Sequence, residues 1–197
     1  MDESGDVKHR ILAAGRAEFA RHGLSAGSVR AIGQRAGVTA AMINYYFGGK
    51  RALYDAVVAE AQGRLLERLS AAVAAGDRAS LAPRLAAAYF DFLVEEQALQ
   101  RLLLREMLDR GNGARPAAAR HVRPLRALFE RHFGRNGEAA HLAISLFGAV
   151  AGYFLYEPIV GAFLGLDPHS RTSLARRRRH VVRLTTMFNH VSPQESQ

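Results

Sequence analysis

The sequence contains no cysteine and no tryptophan. The absence of cysteine excludes disulfide bonds, thiolate zinc sites and cysteine nucleophiles. No run of roughly 18 apolar residues occurs, and the first residues, Met1 to Asp6, lack the apolar core of a signal peptide. These absences predict a cytoplasmic protein with no membrane-spanning segment.

Lysine is scarce as well, because Lys8 and Lys50 are the only lysines among 27 Lys and Arg residues. With 18 Asp and Glu residues the formal net charge is +9. Such a balance attracts the phosphates of nucleic acids or anionic membrane surfaces, and it does not choose between them.

The hydrophobic pattern predicts an all-α protein. Apolar residues recur at helical spacing, no long stretch alternates with period two, and glycine and proline fall between the periodic stretches. About nine helices are expected, and we find no internal repeat. They span roughly residues 7–22, 28–36, 39–46, 50–75, 81–97, 99–110, 116–133, 138–157 and 170–191.

Two of these short helices, within residues 28–46, have the spacing of a helix-turn-helix. Gly37 supplies the small residue with access to positive φ that the tight turn needs, and Thr39 is placed to cap the second helix. Ile32 and Ile43 are expected to form the core between the two helices, and Val38 is expected to fill the angle between them. An ordinary αα-hairpin has the same pattern, so spacing alone leaves both interpretations open.

One set of residues, in order and at fixed spacing over roughly residues 7–55, indicates a family. The set is Ile11-Leu12-Ala13-Ala14, Glu18-Phe19-Ala20, Gly23, Ser28-Val29-Arg30-Ala31-Ile32, Ala36-Gly37-Val38-Thr39, Tyr45-Tyr46-Phe47 and Gly49-Lys50-Arg51-Ala52-Leu53. In these residues the sequence resembles the N-terminal domain of tetracycline-repressor (TetR) family regulators. It departs from the family pattern at Gly33, Asn44 and Tyr46, where Ala, Tyr and His are usual.

The resemblance implies a three-helix helix-turn-helix DNA-binding domain over residues 1–50. A helical ligand-binding and dimerisation domain would follow over residues 51–197. A homodimer would place two recognition helices in successive major grooves of a palindromic operator on double-stranded DNA. An unidentified small-molecule effector would then change the separation of the two DNA-binding heads.

The resemblance also implies which side chains contact DNA. Ser28 resembles a phosphate-contacting N-cap, Arg30 a position that reaches a base, and Lys50 a basic residue close to the DNA backbone. Tyr45 and Tyr46 match paired aromatic positions whose polar tips anchor phosphates. The remaining predicted contacts lie along the recognition helix: Thr39, Ala40, Ala41, Met42 and Asn44.

The chemistry of the same residues is consistent with base reading. Asn44 can pair with adenine and Arg30 with guanine, while the methyl groups of Ala40 and Ala41 can pack on thymine methyls. The alternative is that the two alanines are simply good helix formers and that Tyr46 belongs partly to the core.

Aromatic and apolar residues in the second domain predict a ligand pocket. The same stripes at helical spacing are equally typical of plain core. Arg105, next to Glu106, would be a polar anchor in the pocket or part of a solvent-facing stripe. The predicted lining residues are Phe90, Leu93, Leu103, Arg105, Met107, Leu125, Phe129 and Phe147.

The last two predicted helices have wide apolar stripes, which predict the seam of a four-helix dimer interface. Gly148 and Gly152 would allow close approach there. The run Arg176 to Arg179 is interpreted as a solvated face beside this seam, with a nucleic-acid patch as the alternative. The predicted seam residues are Ala143, Phe147, Val150, Phe154, Leu184 and Phe188.

Enzyme, metal and cofactor signals are not found. Gly48-Gly49-Lys50 is not a Walker motif, because Asn44 and Arg51 replace the Gly and the Ser or Thr that the motif requires. No pair among the eight histidines has metal-ligand spacing with a nearby carboxylate. We therefore expect no catalytic residue, no metal and no cofactor.

The predicted function is a DNA-binding repressor that a small molecule releases from its operator. Two alternatives keep the DNA-binding head, namely a transcriptional activator and a constitutive DNA-binding protein without a ligand. A helical enzyme is the remote third.

Overall fold

The computed structural model describes residues 3–77, 79–108, 115–135 and 137–186, apart from the side chains of residues 3, 103–122 and 137–139. These ranges are helices joined by short turns, so the predicted all-α class is confirmed. In chain order the helices are α1 (Glu3–Ala26), α2 (Val29–Ala36), α3 (Ala40–Phe47), α4 (Lys50–Ala74), α5 (Leu81–Glu95), α6 (Gln97–Leu108), α7 (Arg115–Phe133), α8 (Gly137–Leu155), α9 (Glu157–Leu164) and α10 (Arg171–Thr186).

The described residues thus form ten helices rather than about nine, and the additional helix is α9. The sequence predicts one helix that Pro158 ends or kinks. Instead α8 ends at Leu155, and Pro158 lies in the first turn of α9. A proline is tolerated there because the first backbone N–H groups of a helix have no partner within it.

The chain divides into two compact units. The first contains Met1–Arg64 and Glu96–Ala114, and the second contains Leu65–Glu95 and Arg115–Gln197. Neither unit is one continuous stretch of sequence, since α6 belongs to the first unit although it follows α5 of the second.

The first unit packs α1 against α2 and α6. Phe19 of α1 is fully buried and meets Tyr54 of α4 edge to ring, with centroids 5.1 Å apart. Each fully buried side chain of this size contributes about 1.5–3 kcal/mol of hydrophobic stabilisation. Other fully buried residues of the first unit include Ile11, Ile32, Ile43, Leu53 and Val57.

The second unit packs α5 against α8 and α10, and α7 against α8. Its core is rich in aromatic side chains: Phe147 lies 4.9 Å from Tyr89 and 5.6 Å from Phe129, and Phe90 lies 5.4 Å from Phe154, between ring centroids. Burial raises the pKa of Tyr89 far above its ordinary value.

No single helix among the described ones is both long and apolar enough to cross a membrane. Among the described helices one pair, α8 and α9, is long and apolar enough when counted together, and the two helices are bent by 78° where they meet.

Candidate nucleic-acid interface

The turn between α2 and α3 has the geometry that the sequence predicts. The Ser28 hydroxyl accepts the N–H of Ala31, and the Thr39 hydroxyl accepts the N–H of Met42, so each residue caps its helix. Gly37 adopts the left-handed conformation with φ 69°. The two short helices are thereby fixed in a helix-turn-helix.

Gly33 is a point of close backbone approach within this turn. Its carbonyl accepts the N–H of Val38 at 2.9 Å, and a Cβ atom added to Gly33 would lie 2.7 Å from the Val38 carbonyl oxygen. Glycine therefore lets the backbone after α2 fold directly over the helix.

One face of α3 is exposed. Ala40, Ala41 and Asn44 point to solvent, and the Tyr45 side chain is 83% exposed. Ile43, on the opposite face, is fully buried between the helices, as expected. This leaves a helix surface of two methyl groups, one amide and one phenol.

The two tyrosines at the end of α3 differ in environment. Tyr46 is half-buried, and its ring meets that of Tyr45 edge to face at 5.2 Å. Of the other predicted contact residues, Met42 is half-buried, whereas Thr39, Ser28 and Arg30 are exposed.

Lys50, at the start of α4, is held by the end of α1. Its ammonium group donates to the Ser25 carbonyl at 2.9 Å. The side chain is half-buried, so its charge has a fixed position on the first unit.

Sequence reasoning missed the role of Glu18. This carboxylate is 6% exposed and accepts the backbone N–H of Ser28 at 2.9 Å. The contact joins residues ten positions apart, so no local pattern indicates it. Glu18 thus holds the residue that caps α2.

Sequence reasoning also missed two cations on the first turns of α1. The Lys8 ammonium lies 5.9 Å from the centroid of the Phe47 ring at the end of α3. A guanidinium nitrogen of Arg10 lies 3.5 Å from where a Cβ of Gly37 would be, and Arg10 pairs with Asp6 at 3.1 Å. Basic side chains of α1 therefore lie beside the helix-turn-helix.

The residues predicted to line a ligand pocket lie in the second unit or outside the described side chains. Phe90, Leu93 and Phe129 are buried, and Leu125 and Phe147 are half-buried. Several of them belong to the aromatic core of this unit. The side chains of Leu103, Arg105 and Met107 lie outside those that the structure describes.

Two of the residues predicted for the dimer seam lie inside the subunit instead. Val150 is fully buried and Phe154 is 6% exposed, because this side of α8 packs on α5 and α10. Phe147 packs on Tyr89 of α5. The sequence shows the apolar stripe but not which neighbour covers it. Ala143 is half-buried, Leu184 is 37% exposed, and Phe188 lies outside the described residues.

A different apolar surface is open on the second unit, where α8, α9 and α10 enclose a groove of about 790 Å³. Phe163 of α9 is 89% exposed and Ile159 is 67% exposed. Gly152 of α8 and Tyr156, the residue between α8 and α9, line the same groove, together with Val160, Leu164, Leu166, Ser173, Arg176, Arg177 and His180.

The arginine run of α10 is divided between two neighbouring helices. Arg177 donates to the Ala149 carbonyl of α8, and burial lowers its pKa. Arg178 forms two hydrogen bonds with the Asp91 carboxylate of α5, at 2.7 and 2.8 Å, and these raise its pKa. Arg176 and Arg179 are exposed. Half of the run therefore ties α10 to the core of its own unit.

Across the described ranges, no group of three or more His, Cys, Asp or Glu residues is arranged to hold a metal ion.

Comparison with known sequences identifies the N-terminal segment. Residues 11–57 match the sequence model of the bacterial regulatory proteins of the tetR family. This segment contains the turn, both of its helices, Glu18 and Lys50. No curated protein matches the chain significantly in sequence.

Solved structures share the fold over nearly the whole chain. A transcriptional regulator from Streptomyces coelicolor is 23% identical with a TM-score of 0.67, covering 92% of this chain and 97% of that one. The fatty acid degradation regulator FadR from Bacillus halodurans is 19% identical, with a TM-score of 0.69 and coverages of 90% and 97%. FadR from Bacillus subtilis, solved in complex with stearoyl-CoA, is 16% identical, with a TM-score of 0.70 and coverages of 90% and 97%.

Proposed function

Because this chain belongs to the tetR family of bacterial regulatory proteins and carries that family's DNA-binding domain, we propose that it is a homodimeric repressor released from a palindromic operator by a small-molecule effector. The observation that carries the proposal is the exposed face of α3, which presents Ala40, Ala41, Asn44 and Tyr45 to solvent on a capped and tightly held helix.

The side chains of this surface divide by chemistry. Asn44 and Arg30 carry groups that pair with base edges in the major groove, and the alanine methyls suit thymine. Ser28 suits a phosphate because it caps the N-terminus of α2, and Lys50 suits one because it carries a positive charge. Tyr45 and Tyr46 would anchor phosphates through their hydroxyls, with Thr39 and Met42 at the edge of the helix.

A second copy of the chain is the proposed occupant of the apolar face on α8, α9 and α10. Ile144, Gly148 and Gly152 recur every four residues along one side of α8, and Tyr156 follows at the same spacing just after the helix ends. A Cβ atom at Gly148 would meet nothing within 4 Å. Exposed apolar side chains also occur on the other two helices, among them Phe163 on α9 and Leu184 on α10. Large contiguous apolar patches are rare on monomers, and a two-fold axis would bury both copies of this one.

Regulation by a ligand is proposed for the second unit. The aromatic core around Phe129 and Phe147 would form the apolar wall of an effector site, together with Phe90, Leu93 and Leu125. A long-chain acyl-CoA is the first ligand class to test, because a structural neighbour was solved with stearoyl-CoA.

The test begins with selection of bound genomic fragments and continues with fluorescence anisotropy on the selected operator. We expect a two-fold symmetric footprint, with half-sites about 34–36 Å apart or a multiple of that distance. Stearoyl-CoA is the first probe, and we expect it to weaken binding. A footprint without symmetry would overturn the proposed dimeric binding mode.

The sign of regulation needs its own measurement. Transcription of a reporter placed behind the selected operator should rise when the gene for this chain is deleted. A fall would indicate an activator. Binding that no extract or ligand alters would indicate a constitutive DNA-binding protein.

A further inference from the structure

The first turns of α1 place a lysine beside the recognition helix. Phe47, the last residue of α3, follows Asn44 by three positions, so the two side chains are neighbours on the helix surface. Phe47 therefore borders the exposed face, and the exposed Lys8 lies over its ring at 5.9 Å.

A helix in the major groove is flanked by phosphates. The groove is about 12 Å wide and a helix with its side chains is about 10–12 Å across, so charged groups directly beside the helix face the sugar-phosphate strands. Lys8 is placed in this way, on an element that precedes the helix-turn-helix.

The charged side chains around Lys8 leave its ammonium group available to bind an anion. Among the described residues no carboxylate forms an ion pair with Lys8, whereas the neighbouring Arg10 pairs with Asp6 at 3.1 Å. The lysine stem can rest on the Phe47 ring while its charged end stays in solvent.

We propose that Lys8 binds a DNA phosphate and so extends the DNA-binding surface from the helix-turn-helix onto α1. The inference rests on the proposed operator binding and adds a contact to it. Such a contact carries no sequence information, so it strengthens binding to all duplexes alike.

The test compares Lys8→Gln with the unaltered chain on the selected operator and on an unrelated duplex across a series of salt concentrations. We expect a several-fold loss of affinity on both DNAs and a salt slope that falls by about one unit or less. Lys8→Arg, which keeps the charge, should retain the slope. Arg131→Gln, which removes an exposed cation from the second unit, corrects for the change in net charge.

Thermal unfolding separates a phosphate contact from a structural role on Phe47. The expected result is an unchanged melting temperature for Lys8→Gln with a reduced salt slope. An unchanged slope, with or without a lower melting temperature, overturns the inference while the proposed operator binding stands. Failure of the unaltered chain to bind any DNA would overturn both.

Discussion

The Glu18 carboxylate accepts the backbone N–H of Ser28 at 2.9 Å, and this bond fixes the start of α2 to the middle of α1. Ser28 in turn caps α2 through its hydroxyl. The position of the helix-turn-helix on the first unit therefore depends on one buried acid that lies outside the motif.

We expect Glu18→Ala to lower the free energy of unfolding by about 1–2 kcal/mol, since it leaves the Ser28 N–H without its partner. Glu18→Gln should cost less, because its amide oxygen can still accept the bond. Denaturant titration measures both variants, with the exposed Glu67→Ala as control. An equal loss for Ala and Gln would mean that the charge, rather than the hydrogen bond, stabilises this region.

Gly33→Ala should distort the turn between α2 and α3. Alanine normally stabilises a helix by about 0.5–1 kcal/mol relative to glycine. At Gly33 the new methyl group would meet the Val38 carbonyl oxygen at 2.7 Å, so we expect a net loss of stability and of operator affinity.

Gly63→Ala is the matched control, because a Cβ atom at this position in α4 meets nothing within 4 Å. It should raise the melting temperature and leave DNA binding unchanged. A stabilising effect of Gly33→Ala as large as that of Gly63→Ala would show that the turn relaxes without cost.

Ile144→Glu and Phe163→Glu should yield monomers that keep their helical content. Both side chains are exposed on the subunit, so a charge there opposes only the contact with a second copy. Light scattering measures the mass and circular dichroism the fold. Dimers in both variants would place the seam elsewhere.

Val150→Ala supplies the contrast, because Val150 is fully buried in its own subunit. Its truncation should lower stability through the lost methyl groups and the cavity left behind. The mass at high protein concentration should not change.

Asn44→Ala should weaken binding in a way that depends on the DNA sequence. We expect a loss of about 1–3 kcal/mol on the preferred operator and much less on an operator altered at the base pair concerned. Anisotropy at fixed salt on the two operators measures the difference. Equal losses on both would assign Asn44 to the phosphates or to the structure of α3.

Lys50→Ala should instead weaken binding to all sequences alike and reduce the salt slope by about one unit or less. Its bond to the Ser25 carbonyl adds a structural possibility, which thermal unfolding tests. A loss confined to one operator would contradict a phosphate contact.

The sequence alone determined the helical class, the position of the turn and both of its caps. These features depend on neighbouring residues: the spacing of apolar side chains, the freedom of Gly37, and the hydroxyls of Ser28 and Thr39. The family resemblance could also be found in the sequence, because it lies within one continuous stretch of 47 residues, 11–57.

Only the tertiary structure decided which side of each helix is covered. The apolar stripe of α8 predicts burial equally well against a partner subunit or against α5, and packing assigns Val150 and Phe154 to the interior. The open face includes α9, which begins at Glu157. In the sequence, Pro158 indicates the end of a helix rather than the first turn of a new one. The contacts of Glu18 with Ser28 and of Lys8 with Phe47 join residues far apart in the chain, so no period or spacing could predict them.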